Sequence, residues 1–172
     1  NNQVIELIMN EINPQPEHVV CDPFSGSGGF LMNFKKEDIH KDNIYGADYG
    51  DDIFKVLGLN CIIADLNPDN IHFQDSFEHR NFKDSIGKFD RIGTNPPFGE
   101  SINITLSNDE KKKFWNIMKS GKETIKNSTG LATYMLFHFL KEGGVCGEVV
   151  DRGILNNGTE NKSWQKRLRK YL

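Results

Sequence analysis

Cysteine is sparse and scattered: Cys21, Cys61 and Cys146 are odd in number and form no Cys-x-x-Cys pair. That excludes a disulfide framework and a zinc ribbon, and a reducing, cytoplasmic setting is expected. No apolar run approaches the ~20 residues that cross a bilayer, and Asn1-Asn2-Gln3 does not begin a basic-then-apolar leader, so no membrane partner is expected. Charge of one sign is not in excess, with 21 Lys+Arg against 24 Asp+Glu and a formal net charge of −3. His40, His72 and His79 have no partner at ligand spacing, and no metal is expected. An initiator Met is also lacking, and the chain reads as a segment of a longer protein.

What is present suits a folded domain. The 172 residues are 37% apolar before glycine is counted, the composition of an ordinary soluble chain. One domain over 1–172 is the expectation, since a chain of this size buries roughly 70% of its unfolded surface without help from cross-links. The neutral total conceals an asymmetry: residues 1–108 sum to −9 and residues 109–172 to +6. A basic carboxyl-terminal third suits either phosphate contacts or solvated helix faces.

Apolar residues at 4, 5, 8, 9 and 12 mark one helical face, ended by Asn13-Pro14-Gln15-Pro16. His18 to Asp22 predicts a strand, followed by a glycine-rich turn and a helix from Phe30. The pattern repeats, with strands over 44–48, 70–75, 89–95 and 145–150. The intervening helices span 51–64, with Ile53, Val56, Leu57, Asn60 and Cys61 on one side, and 131–141, ended by Gly143-Gly144. Alternating strands and helices predict an α/β fold with a doubly wound, mostly parallel sheet. Residues 101–129 break this rhythm as a long polar insertion, and 164–171 read as a basic amphipathic helix.

In such a sheet the ligand crevice lies at the carboxyl ends of the strands. Asp22, Asp48, Asp75 and Asn95 each close a predicted strand. Phe24-Ser25-Gly26-Ser27-Gly28-Gly29 lacks the Gly-Lys-Ser/Thr ending that holds β and γ phosphates, and Leu31 stands where a dinucleotide fingerprint wants a small residue. Asp48 lies 20 residues beyond Gly28, where such folds place a ribose-binding carboxylate. A nucleoside cofactor without an essential pyrophosphate fits, and S-adenosylmethionine is the common one. Asn95-Pro96-Pro97-Phe98 fixes two φ angles and removes two donors, leaving carbonyl oxygens and an amide in a rigid array. That array suits a planar amino group: the Asn95 oxygen and the Pro96 carbonyl each accept one hydrogen, and Phe98 offers a stacking face.

Asp22 through Leu31, followed by Asn95-Pro96-Pro97-Phe98-Gly99, resembles the amino-group DNA adenine methyltransferases, most of all the modification subunits of type I restriction systems. Val4 to Pro16, Tyr45 to Asp48, Asn70 to Phe77 and Phe137 to Leu155 extend the resemblance to nearly the whole chain except 101–129. It implies a Rossmann-like S-adenosylmethionine-dependent methyltransferase fold and transfer to the exocyclic nitrogen of a flipped adenine in double-stranded DNA. Phe24, Gly26 and Gly28 would hold the methionine part, Asp48 the ribose, and Asp75 with the Ser76 backbone the adenine ring. Asp22, Ser27 and Tyr49 complete the expected cofactor set, and Asn95, Pro96, Pro97 and Phe98 the catalytic one. A specificity subunit or recognition domain and a restriction endonuclease subunit are the implied partners. A helical amino-terminal domain is missing by the same comparison, so the isolated segment is expected to bind cofactor weakly and to be inactive. The family's usual proline is Asp151 here.

Two alternatives remain open from the residues. RNA guanine or protein glutamine methyltransferases carry similar Asn-Pro-Pro turns, and an inactive nucleic-acid-binding module could keep the same fold. Lys111, Lys112, Lys113, Lys119 and Lys122 follow the turn closely and are the expected DNA-binding cations.

Overall fold

The computed structural model describes residues 2–77, 84–98, 119–120, 123–124 and 128–152. The first helix, α1 (Asn2–Ile12), buries Met9 and Ile12 and stops at Asn13, whose left-handed φ of 43° and following proline end the helical ladder. Strand β1 (Val20–Asp22) is buried throughout. Helix α2 (Gly29–Lys36), strand β2 (Ile44–Asp48), helix α3 (Asp51–Ile63) and strand β3 (Ile71–Phe73) follow, then β4 (Phe89–Thr94). Two-residue strands β5 (Lys119–Ser120) and β6 (Glu123–Thr124) pair antiparallel with each other. Helix α4 (Ser128–Phe139) leads into β7 (Leu140–Glu148).

Five strands form one parallel sheet in the order β3-β2-β1-β4-β7. The chain winds outward from β1 to β3 and then returns to the other side of β1, so the strand order reverses between β1 and β4. That is the switch point at which open α/β sheets bind ligands. Side chains alternate across the sheet. Val20 joins the cluster of Ile12, Leu31, Phe34, Ile44 and Leu57 under α1 to α3, while its neighbour Cys21 joins Ile92, Leu131, Tyr134 and Met135 under α4. The expected doubly wound α/β architecture is the one observed.

Three local expectations differ. Helix α4 runs from Ser128 to Phe139 rather than from 131 to 141, and β7 starts at Leu140, ahead of Gly143-Gly144. Leu140 pairs with Phe89, but regular pairing resumes only at Val145 opposite Arg91. The residues between bulge out through Gly143 at a φ of +78°. On α3, Leu57 and Cys61 are buried as expected, whereas Ile53 and Val56 are exposed, and Leu59, Ile62 and Ile63 face outward at 64%, 78% and 83%. This helix is apolar around most of its circumference, so periodicity marks its buried stripe poorly. Strand β3 ends at Phe73, two residues short of Asp75. Among the described residues no helix is long and apolar enough to cross a membrane, and no three His, Cys, Asp or Glu side chains group as metal ligands.

Candidate active site

Strand ends set the site. After β1, the Phe24 N–H donates to Asp22 Oδ1 at 3.1 Å and turns the chain, and Gly28 N–H to Ser25 O at 2.8 Å closes the next turn. Gly28 opens α2 at a φ of 93°, and a Cβ there would lie 2.9 Å from Leu57 Cδ1; both the angle and the space call for glycine. Asn60 of α3 braces this loop by donating to Ser27 O at 2.8 Å. At the end of β2, Asp48 Oδ2 accepts the Gly26 N–H at 2.8 Å while its Oδ1 accepts the Gly50 N–H at 3.0 Å. One carboxylate therefore holds the glycine loop and the start of α3 in a fixed relation. Beyond β3, Ser76 Oγ donates to Pro23 O at 2.5 Å, and Phe77 packs against Phe24 with ring centroids 5.1 Å apart.

These turns and the residues after β4 enclose a single cleft of about 700 Å³, within the range of small-molecule sites. Phe24, Gly26, Asp48, Tyr49, Asp75 and Ser76 line one part, and Asn95, Pro96, Pro97 and Phe98 the other. Asn95 and Phe98 are exposed to the cleft and Pro96 is buried beneath them. Pro23, Gly50, Gln74 and Phe77 also line it, although the sequence did not single them out for the site. Their signal was adjacency alone, since each lies beside a residue expected in the site: Pro23 beside Phe24, Gly50 beside Tyr49, Gln74 beside Asp75 and Phe77 beside Ser76. Asp22, Ser27 and Gly28 do not line the cleft: Asp22 is 1% exposed and spends its carboxylate inside the protein, and Ser27 points to solvent.

The described lining carries the carboxylates of Asp48 and Asp75 and no cationic side chain. This field favours a cofactor bearing positive charge and disfavours one bearing a pyrophosphate. The volume, the carboxylate beside an open glycine turn and the apolar Phe24 and Phe77 together fit an S-adenosyl group. Lys111, Lys112 and Lys113 lie outside the described residues, as does Lys122; Lys119 is placed only by its backbone in β5.

Two acids stand at strand ends next to cleft residues, Asp22 before Pro23 and Glu148 opposite Thr94. Burial pushes the Asp22 carboxyl up to about 7, against the pull of hydrogen bonds from Thr94 and Phe24, and the nearby Asp48 charge adds to the rise. Glu148, at the end of β7 beside Thr94, is pushed up to about 8 by burial, with the Thr133 hydroxyl at 3.2 Å drawing it partly back. The sequence did not single out Glu148. Burial also raises the Cys21 and Cys146 thiols, keeping both protonated and inert.

A folded-state value above the unfolded one means that Glu148 contributes stability fully present below about 4.5 and lost as pH rises through about 8. Glu148→Gln removes that loss. Thermal melts at pH 5 and pH 8.5 are expected to show a smaller decline for the variant, with a difference of up to about 4 kcal/mol. Parallel declines for the two proteins would show that the carboxyl is not held protonated.

The N-6 DNA Methylase family model matches residues 1–172. The type I restriction enzyme MjaVIII methylase subunit of Methanocaldococcus jannaschii is 29% identical over 177 residues, covering 96% of this chain and 30% of the relative. The chain thus spans about a third of the length of that protein. Among solved structures, the modification subunit of a putative type I restriction enzyme from Vibrio vulnificus YJ016 superimposes with a TM-score of 0.75 at 19% identity, covering 100% of this chain and 37% of that one. The type I restriction enzyme EcoKI M protein superimposes with a TM-score of 0.74 at 21% identity, covering 98% of this chain and 36% of that one. At these identities the two superpositions speak for the fold.

Proposed function

The chain belongs to the N-6 DNA Methylase family, and from that premise we propose that it transfers a methyl group from S-adenosylmethionine to the exocyclic amino nitrogen of adenine in double-stranded DNA, as the catalytic part of a restriction-modification system. One observation carries this reading: the Asn95 to Phe98 turn and the acid-lined crevice of Asp48 and Asp75 open into the same cleft. Donor and acceptor sites adjoin, so direct transfer needs no covalent enzyme intermediate.

The cofactor supplies an electrophilic methyl group on a positively charged sulfur. The chain's own residues bind and orient. Phe24 and Gly26 would hold the methionine part, Asp48 the ribose and Asp75 with the Ser76 backbone the adenine ring, with Tyr49, 68% exposed, at the rim of the cleft. The Asn95 side-chain oxygen and the Pro96 carbonyl accept the two amino hydrogens of the target, which draws its lone pair out of conjugation toward the methyl group. Phe98, 42% exposed, stacks on the flipped base; such a contact is worth about 1–3 kcal/mol and offsets the few kcal/mol of unstacking. Sequence reading belongs to a specificity subunit or recognition domain, and cleavage to an endonuclease subunit. The name of the methanogen relative, a subunit of a type I restriction enzyme, supports that assignment.

The deciding experiment incubates the full-length protein with tritiated S-adenosylmethionine and unmethylated genomic DNA, bulk RNA or protein, then digests each to monomers. Label is expected in N6-methyladenine from DNA. Label in a guanine from RNA or in a glutamine side chain would overturn the assignment.

A further inference from the structure

Between the cofactor loop and the amide turn lies a buried contact contained in neither motif. Thr94, the last residue of β4 and the neighbour of Asn95, is fully buried, and its hydroxyl donates to Asp22 Oδ1 at 2.6 Å. The same oxygen accepts the Phe24 N–H at 3.1 Å. One atom therefore joins the strand that delivers Asn95 to the first turn of the loop lining the donor side.

Backbone pairing does not supply this connection. Strands β1 and β4 pair through Val20 with Arg91 and Cys21 with Ile92, and stop short of Asp22 and Thr94. The side-chain bond extends the tie past the last backbone pair, to the level of the cleft. Each end is anchored in turn. Thr94 O accepts the Val149 N–H at 3.1 Å, fixing the end of β4 to the segment after β7. On the other side Ser25 Oγ donates to Asp22 O at 2.6 Å and accepts the Ala47 N–H at 3.1 Å, fixing the loop to β2. Burial keeps water from replacing either partner, and the β-branch of threonine limits the hydroxyl to few rotamers.

We propose that the Thr94 hydroxyl and the Asp22 carboxyl act as a positioning strut that sets the separation between the methyl donor held by residues 23–26 and the amino group held at Asn95. The proposal rests on the reading of the cleft as a methyl-transfer site. Neither residue lines the cleft, so both act through the groups they hold. Transfer between two bound partners is steeply sensitive to their spacing, with a misplacement of about 1 Å costing on the order of 10²-fold in rate. A strut of this kind governs the chemical step more than the affinity for either partner.

The test compares the full-length parent with Thr94→Val and Thr94→Ser, using tritiated S-adenosylmethionine and unmethylated genomic DNA in single-turnover assays, with calorimetry for cofactor affinity. Thr94→Val, which keeps the shape and removes the donor, is expected to lower the methylation rate about 10–100-fold while cofactor affinity stays within about 3-fold; Thr94→Ser returns the rate to within about 3-fold of the parent. If thermal melting shows Thr94→Val to be unfolded, Thr94→Ala is read against Thr94→Ser in the same way. An unchanged rate in an active background overturns the strut alone, and so does a fall in cofactor affinity that accounts for the whole rate loss. A parent that forms no N6-methyladenine overturns the methyl-transfer reading and the strut with it.

Discussion

Replacing Asn95 with alanine in the full-length protein is expected to lower DNA methylation by on the order of 10³-fold while leaving cofactor affinity within about 3-fold of the parent. The asymmetry follows from where Asn95 sits. It closes no part of the glycine loop, whose hydrogen bonds run to Asp22, Ala47, Asp48 and Asn60, so its removal leaves that loop intact. In the proposed mechanism the amide oxygen is one of two that take the amino hydrogens, and the Pro96 carbonyl alone would not hold the plane of the amino group. Single-turnover methylation with tritiated cofactor reads the rate, and calorimetry reads the affinity. Methylation at the parental rate would remove Asn95 from catalysis and, with it, the role given to the turn.

Asp48→Ala should have the opposite profile. Its two oxygens accept the Gly26 and Gly50 N–H groups, so the substitution orphans two backbone donors at the cleft and deletes the proposed ribose acceptor in one step. Hydrogen bonds to a charged group contribute about 1.5–3 kcal/mol each, and the expected loss of cofactor affinity is on the order of 10²–10³-fold. Asp48→Asn keeps one acceptor oxygen and is expected to fall between. Calorimetric titration with S-adenosylmethionine, alongside a thermal melt to confirm folding, measures both. Parental affinity in a folded Asp48→Ala protein would show that the carboxylate braces the loop without touching the cofactor.

The residues with the largest expected effects were visible in the sequence because strand ends were visible. Short β-branched or apolar runs stopping at an acid or at a double proline locate Asp22, Asp48 and Asn95 on one edge of a parallel sheet without knowledge of any contact. Division of labour within that edge was not visible. Asp22 and Asp48 look alike in sequence, yet one carboxylate is 1% exposed and turned inward while the other lines the cleft. Glu148 and Thr94 were hidden for a related reason: along a strand, a polar residue in an apolar run reads as facing solvent, and the sequence does not show that α4 lies over that face. Helix α3 failed in the other direction, because Ile53 and Val56 fall on the expected apolar face yet stand exposed.

The pairing of β4 directly with β1 also fixes when the site can exist. During synthesis, residues up to Phe77 can lay down β1, β2 and β3 with the glycine loop and Asp48, but β4 joins on the opposite side of β1 across some 70 residues of chain, as the pairing of Cys21 with Ile92 shows. Closing so long a loop costs entropy before any contact offsets it, which makes this the slow, late event of a non-local topology. The glycine loop and Asp48 thus precede the Asn95 turn in the order of synthesis, and the two meet only when β4 pairs with β1. The cleft that joins the two halves is complete only once the sheet has closed, which ties any activity of that cleft to the completion of folding.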